Sequence, residues 1–274
     1  MTIAIGDIPD AAASASLRLR DELLAILGDD LVGMWLHGGT TFADPPVRPG
    51  DLDICVVVAN VTPDERSPRL WRRDPGSTPS RIYAAQESIA CDEGAIFDTT
   101  YLLADQVGRG RMPSSAFRRS RRETDWAVSR AHWVAGQYVL LHGRPPEGLV
   151  VAPTPVELRR ALDREVEHLE RHVVEGDAND PFEATYAFFN GCRILRTLET
   201  GSPVISKRSA GEWGLEDLAE RWHEAIRAAG RSYDGAGTAD DAEVLRVTMA
   251  PFVEMVRARM PRTNPRPTVT PRWS

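Results

Sequence analysis

Two short apolar runs, Leu31 to Leu36 and Ile54 to Val58, are brief, rich in β-branched residues and bounded by glycine and polar positions. Runs of that length and composition predict buried strands rather than helices. Upstream, Leu17, Leu24 and Leu27 recur at helical spacing, which predicts a helix over 14–27 that Gly28 stops. Downstream, 60–79 turns to Pro, Ser, Arg and Asp and reads as a surface excursion. The run Ala95 to Leu103 predicts a third strand, with Ile96, Asp98 and Thr100 on one face. A helix is expected over 125–141, closed by His142-Gly143-Arg144-Pro145-Pro146, where Gly and Pro mark a domain boundary. Beyond that boundary the apolar period is helical throughout. Leu158, Leu162, Val166, Leu169 and Val173 predict a helix over 155–174, and Phe188, Cys192 and Leu195 stripe another over 183–199 that Gly201 ends. Further helices are expected over 215–229 and 240–260, and the Pro/Thr/Arg-rich segment from about 261 reads as a disordered tail. The pattern predicts an α+β chain: a mixed sheet with helices over 1–148 and an all-helical bundle over 149–274.

Composition narrows the function. At 274 residues, 42% of them hydrophobic, the chain is long enough to bury two cores. No apolar run approaches the ~20 residues that span a bilayer, and the N-terminus lacks a basic-then-apolar secretory pattern. A cytoplasmic protein with no membrane partner, monomeric, is expected. Cys55, Cys91 and Cys192 are odd in number, without metal-ligand spacing and in apolar contexts, which predicts buried free thiols in a reducing compartment. A formal charge of -7 argues against a nucleic-acid partner and favours a cationic one.

The chemistry concentrates between the first two strands. The first run ends in Trp35-Leu36-His37-Gly38-Gly39-Thr40, and the second opens with Gly50-Asp51-Leu52-Asp53-Ile54. Residues two apart on a strand face the same way, so the Asp51 and Asp53 carboxylates stand side by side, about 7 Å apart at Cα. A cation between them relieves their repulsion, and hard oxygen ligands suit Mg2+, which completes its shell with water and substrate phosphates. Gly38 and Gly39 leave the strand end without side chains, so backbone N–H groups can approach an anionic polyphosphate. Asp98, an acid inside an otherwise apolar strand, is the candidate third carboxylate. Taken singly, a Gly-Gly pair is an ordinary turn and an Asp-x-Asp an ordinary solvated strand edge. A basic stretch, Arg109, Arg111, Arg118, Arg119, Arg121 and Arg122, reads either as phosphate contact or as a solvated surface. The loop Glu175 to Glu183 holds four acids, with Asp180 as a helix N-cap before Pro181, and beside a cleft it would focus negative potential on a cation.

A Gly-Gly that ends one strand and an Asp-hydrophobic-Asp-hydrophobic that opens the next resemble the polymerase-β-like nucleotidyltransferases. The second half extends the likeness. Asn190-Gly191-Cys192-Arg193, Leu198-Glu199-Thr200-Gly201, Ser206-Lys207-Arg208 and Trp213 are similar to the C-terminal domain of aminoglycoside adenylyltransferases of the streptomycin/spectinomycin type. The resemblance covers about 20–260 and implies transfer of AMP from ATP to a hydroxyl of a small cationic acceptor. It implies that Asp51 and Asp53 hold Mg2+, that Asp98 joins the metal site and serves as general base, and that Arg193 and Lys207 reach the ATP phosphates. It places Glu123 and Glu183 against the antibiotic, with Asp180 beside them. Read from their surroundings alone, Arg193 and Lys207 equally suit helix-end carbonyls, and Glu123 and Glu183 equally suit solvent. Three departures stand out. The family usually has Gly-Ser at Gly38-Gly39, a serine at Gly50, and Glu where this chain has Asp98; Thr40 or Thr41 is the substitute hydroxyl. Family members that accept both antibiotics carry a tryptophan and an aspartate at the places of Val174 and Asn179, which implies a preference for compact spectinomycin-like acceptors. The alternative is a nucleotide-binding or antitoxin-like module of the same fold that transfers nothing.

Overall fold

The two apolar runs are the central strands of a four-stranded sheet in a computed structural model. It describes residues 3–44, 51–62, 72–110, 116–117, 126–175 and 181–261, without the side chains of 172–175 and 181–182. Strand β1 is Leu31–His37 and β2 is Asp51–Val58, and they pair antiparallel with Trp35 opposite Cys55 and His37 opposite Asp53. Strand β3, Ile96–Leu103, runs parallel to β2 with Asp98 opposite Asp53, and β4, Val139–Gly143, completes the order β3-β2-β1-β4. Because side chains alternate along a strand, β2 feeds two cores. Leu52, Ile54, Val56 and Val58 pack on one side, while Cys55 and Val57 join Trp35, Trp126 and Trp133 on the other. Asp51 and Asp53 continue the second series past the end of the core.

Helix α1, Asp10–Leu27, and helix α2, Thr78–Glu93, cover the first face. Helix α1 starts four residues before the expected Ser14, and its buried stripe is Ala12, Ala15, Ser16, Leu19 and Leu23 rather than Leu17, Leu24 and Leu27. Alanines that close the helix against the sheet carry little hydrophobic signal. Helix α2 supplies the crossover that a parallel β2–β3 pair requires. It follows the expected surface excursion, of which 63–71 lie outside the described residues, and it has no clear apolar stripe. Gln86 takes one of its buried positions and donates from Nε2 to Thr99 Oγ1 at 2.6 Å. After β3 come a short turn of helix, α3 (Ala104–Val107), and then α4 (Trp126–Val134). The helix expected over 125–141 thus stops early. Gly136, at φ +82°, lets the chain turn, and Val139-Leu140-Leu141 pairs with β1 as β4.

The helical half consists of α5 (Pro155–Glu175), α6 (Pro181–Thr200), α7 (Lys207–Asp217), α8 (His223–Tyr233) and α9 (Ala239–Arg259). Leu162, Val166, Leu169, Phe188, Cys192 and Leu195 are buried as their spacing predicts. The helix expected over 215–229 is two helices, because Leu218 takes an extended conformation between α7 and α8. Helices α6 and α7 approach closely: a Cβ on Gly214 would lie 2.8 Å from Cys192 Sγ. Cys55 and Cys192 are buried, but Cys91 is exposed near the end of α2, against expectation. The tail from 262 lies outside the described residues, and no described helix is long and apolar enough to cross a membrane.

The halves meet through specific polar contacts. Arg130 on α4, fully buried, donates to Val151 O at 3.0 Å and pairs with Glu157 on α5 at 2.5 Å. His132 Nε2 lies 3.0 Å from Pro203 O, in the connection before α7.

Candidate active site

The register fixes the site. At the end of the sheet that faces the helical half, His37, Asp53 and Asp98 stand on three adjacent strands. Two residues along β2, Asp51 is on the same face. One ligand oxygen each from Asp51, Asp53 and Asp98 lie within 4.8 Å of one another. Asp51 and Asp98 are exposed, and Asp53 is partly buried. Desolvation, then the neighbouring charges of Asp51 and Asp98, push the Asp53 carboxyl up to about 7, against the opposing pull of Lys207 and Arg193. Three oxygen donors that repel one another at this spacing fit a hard divalent cation.

The turn after β1 is shaped around the same carboxylate. Gly38 has φ +79°, and a Cβ there would collide with the Asp53 side chain. Thr41 closes the turn, its N–H and Oγ–H reaching Gly38 O at 3.2 and 2.8 Å, and Gln137 Nε2 donates to Thr41 O at 2.6 Å. Thr40, by contrast, is buried with a hydroxyl that has no hydrogen-bond partner among the described residues.

Across from this turn runs a cleft of about 700 Å³, lined by Gly38, Gly39, Thr40 and the three aspartates on one side and by α6 and the start of α7 on the other. Arg193 and Lys207 both line it. Lys207 Nζ lies over the rings of Tyr186 and Tyr233, 5.6 and 5.8 Å from their centroids. Burial, then the Arg193 charge, lowers the Lys207 pKa, while Asp51, Asp53 and Glu165 oppose that shift. Arg193 Nη1 donates to Asn190 Oδ1 at 3.3 Å.

The structure thus brings Asp51, Asp53, Asp98, Gly38, Gly39, Thr40, Arg193 and Lys207 to one cleft. Glu183, in the first turn of α6, is not among its lining residues, while Glu123 and Asp180 lie outside the described residues. Among the basic stretch, Arg109 is described, and it pairs with Asp105 on the surface at 3.2 Å. Several lining residues escaped the sequence reading. Tyr186, Asn190 and Thr197 line the cleft on the same face of α6 as Arg193, and the spacing of four, three and four residues through Arg193 inside an apolar helix is a polar stripe that marks a solvent-lined face. His37 and His132 also line it. Burial, then the other histidine's charge, lowers His37 to about 3, and burial, then the Arg193 charge, lowers His132 to about 4, so both imidazoles are neutral at pH 7.

Comparison with known proteins converges on the same two halves. Residues 150–259 match the family model described as aminoglycoside adenylyltransferase, C-terminal domain. Among solved structures, the spectinomycin adenyltransferase AAD(9) from Enterococcus faecialis, crystallised with ATP and spectinomycin, is similar in fold with a TM-score of 0.67 and 17% identity. The match covers 89% of this chain and 98% of that one, so it includes the sheet half as well as the helices. No curated protein matches the chain in sequence. The chain therefore shares the fold of that adenyltransferase over both halves, and its helical half is similar to the C-terminal domain of the aminoglycoside adenylyltransferases.

Proposed function

We propose that the protein transfers AMP from ATP to a hydroxyl of a small cationic acceptor of the aminoglycoside or aminocyclitol type, with release of pyrophosphate. The observation that carries this reading is the opposition of charge across one cleft: three carboxylates on the sheet face Arg193 and Lys207 on the helices. Residues 1–148 and 149–274 are, on this reading, two domains that close on the nucleotide.

Asp51 and Asp53 would hold Mg2+, with Asp98 beside it; when bound, the ion supplies positive charge to the phosphate oxygens. Gly38 and Gly39 give the phosphates access to the strand end, and Thr40, a buried lining residue whose hydroxyl has no partner among the described residues, is the candidate substitute for the family's serine. Arg193 and Lys207 hold the β- and γ-phosphates and oppose the charge that develops on the leaving pyrophosphate. Asp98, exposed to the cleft, accepts the proton of the acceptor hydroxyl as its oxygen attacks the α-phosphorus and the bond to the bridging oxygen breaks. The half-buried His37 and the buried His132 are neutral and add no charge to this wall.

The acceptor class follows from the balance of charge. Asp44, Asp51, Asp53, Asp98 and Glu165 line the cleft, against Arg193, Lys207 and Arg208. With Arg193 and Lys207 engaged by phosphates and Asp51 and Asp53 by Mg2+, Asp44, Asp98 and Glu165 remain against Arg208, and that remainder favours a cation. Glu183 stands back from the cleft, and the identities of Val174 and Asn179 favour compact spectinomycin-like acceptors over streptomycin. The test is pyrophosphate release from ATP and Mg2+ with a panel of aminocyclitols and aminoglycosides. Release that needs an acceptor supports the proposal, and nucleotide binding without release under any of them favours a module that transfers nothing.

A further inference from the structure

Lys207 is the first residue of α7, and the segment that leads into it is held by the other half of the protein at two points. At Pro203, the carbonyl meets His132 Nε2 at 3.0 Å. At the helix start, Ser206 is the N-cap, its Oγ accepting from Ser209 N–H at 2.9 Å, and the Ser206 and Ser209 hydroxyls both donate to Asp44 Oδ2, at 2.5 and 3.1 Å. Asp44 lies just beyond the turn that begins at Gly38 and Gly39, and that turn is itself pinned through Thr41 and Gln137. A carboxylate at a helix N-terminus is also favoured by the helix dipole. The acid therefore ties the phosphate-facing turn of the sheet half to the backbone that carries the phosphate-facing lysine of the helical half.

A lysine ammonium is a point charge on a flexible stem, so where it acts is set by its backbone and by whatever brackets its tip. Tyr186 and Tyr233 bracket the tip, and both belong to the helical half. Asp44 is the contact that registers the lysine's own backbone against Asp51 and Asp53. We propose that Asp44 is a positioning residue for Lys207, holding it across the cleft from the acidic trio through the capping hydroxyls of Ser206 and Ser209, an inference that rests on the nucleotidyltransferase reading above. Removing the carboxylate leaves two serine hydroxyls to water and takes away the tie at the start of α7 itself, with the contact at Pro203 four residues upstream still in place.

The test is calorimetric titration of Mg-ATP into the full chain as wild type, Asp44→Ala, Asp44→Asn, Lys207→Ala and the Asp44→Ala/Lys207→Ala pair. Asp44→Ala weakens Mg-ATP by about tenfold, the scale of a lost hydrogen bond to a charged group. Asp44→Asn, whose side-chain oxygen still accepts from the hydroxyls without a charge, falls between it and wild type and serves if the alanine variant does not fold. In the Lys207→Ala background, Asp44→Ala has less than about a twofold effect, because the group that it positions is gone. Unchanged affinity in Asp44→Ala overturns the inference. So does an equal loss with and without Lys207, which would make the contact one of general stability. A wild type that does not bind Mg-ATP at all removes the nucleotidyltransferase reading, and the positioning role falls with it.

Discussion

Asp53 is surrounded by reasons to lose its charge: a partly buried setting, Asp51 beside it on the strand, and Asp98 opposite it on the next. Among the described residues no hydrogen bond holds its charge, and Lys207 and Arg193 only partly offset the shift, which is what a carboxylate kept for a ligand looks like. Asp53→Asn keeps the size and removes the charge. Nucleotidyl transfer should collapse in that variant while the thermal unfolding midpoint without added metal holds or rises, since repulsion is relieved. Turnover retained at the wild-type rate would remove Asp53 from the site. Lys207 is the complementary case, a cation drawn out of water toward anionic space. Lys207→Ala should weaken Mg-ATP by about 1.5–3 kcal/mol, the range for a hydrogen bond to a charged group, and calorimetry that finds unchanged affinity would return the residue to surface charge. Both residues were legible in the sequence for different reasons. The aspartates follow from period-two geometry, whereas Arg193 and Lys207 came from family resemblance, because nothing in their local pattern separates a phosphate ligand from a helix-end charge.

At the scale of elements, the β1–turn–β2 unit was the most legible part of the chain, since one stretch contains its apolar runs, its turn residues and its chemistry. Gly38 is the hinge of that unit. Gly38→Ala forces a side chain into φ +79°, ψ -154°, a region essentially reserved for glycine that costs about 1–3 kcal/mol, and drives its Cβ against Asp53. We expect lower stability by chemical denaturation together with a larger loss of transfer activity than the stability change explains; wild-type activity would mean that the turn is not fitted to the carboxylate. The elements that the sequence hid were those whose signal lies elsewhere in the fold. Helix α2 buries a glutamine whose amide donates to the hydroxyl of Thr99 on β3. Strand β4 continues the apolar spacing of α4 and becomes a strand because β1 offers an unpaired edge. The gap between α7 and α8 is invisible in composition, and α1 is closed onto the sheet by alanines that read as neutral.

In the whole molecule the two halves share a polar seam, with Asp44, His132 and Arg130 each reaching from the sheet half to the helical one. His132 makes that seam sensitive to acid. Its pKa falls from 6.5 in the unfolded chain to about 4 in the folded one, so between those values the unfolded state binds the proton more readily. Its contribution to stability is complete above about pH 6.5 and declines as pH falls through that window. His37, lowered to about 3 by burial and then by the His132 charge, adds a parallel slope. Replacing His132 by Gln, which keeps a donor toward Pro203 O, should flatten part of the loss of thermal stability between pH 6.5 and 4, and an unaltered slope would show that the imidazole does not titrate on unfolding.

The central claim is that the cleft between the halves moves a nucleotidyl group onto an acceptor. The direct measurement is pyrophosphate released from ATP with Mg2+, in the presence and absence of spectinomycin, by wild type and by Asp53→Asn. The account predicts release by wild type that depends on both Mg2+ and the acceptor, with the acceptor recovered carrying AMP, and none above background from Asp53→Asn. Release that ignores the acceptor, or equal release from the two proteins, would contradict it.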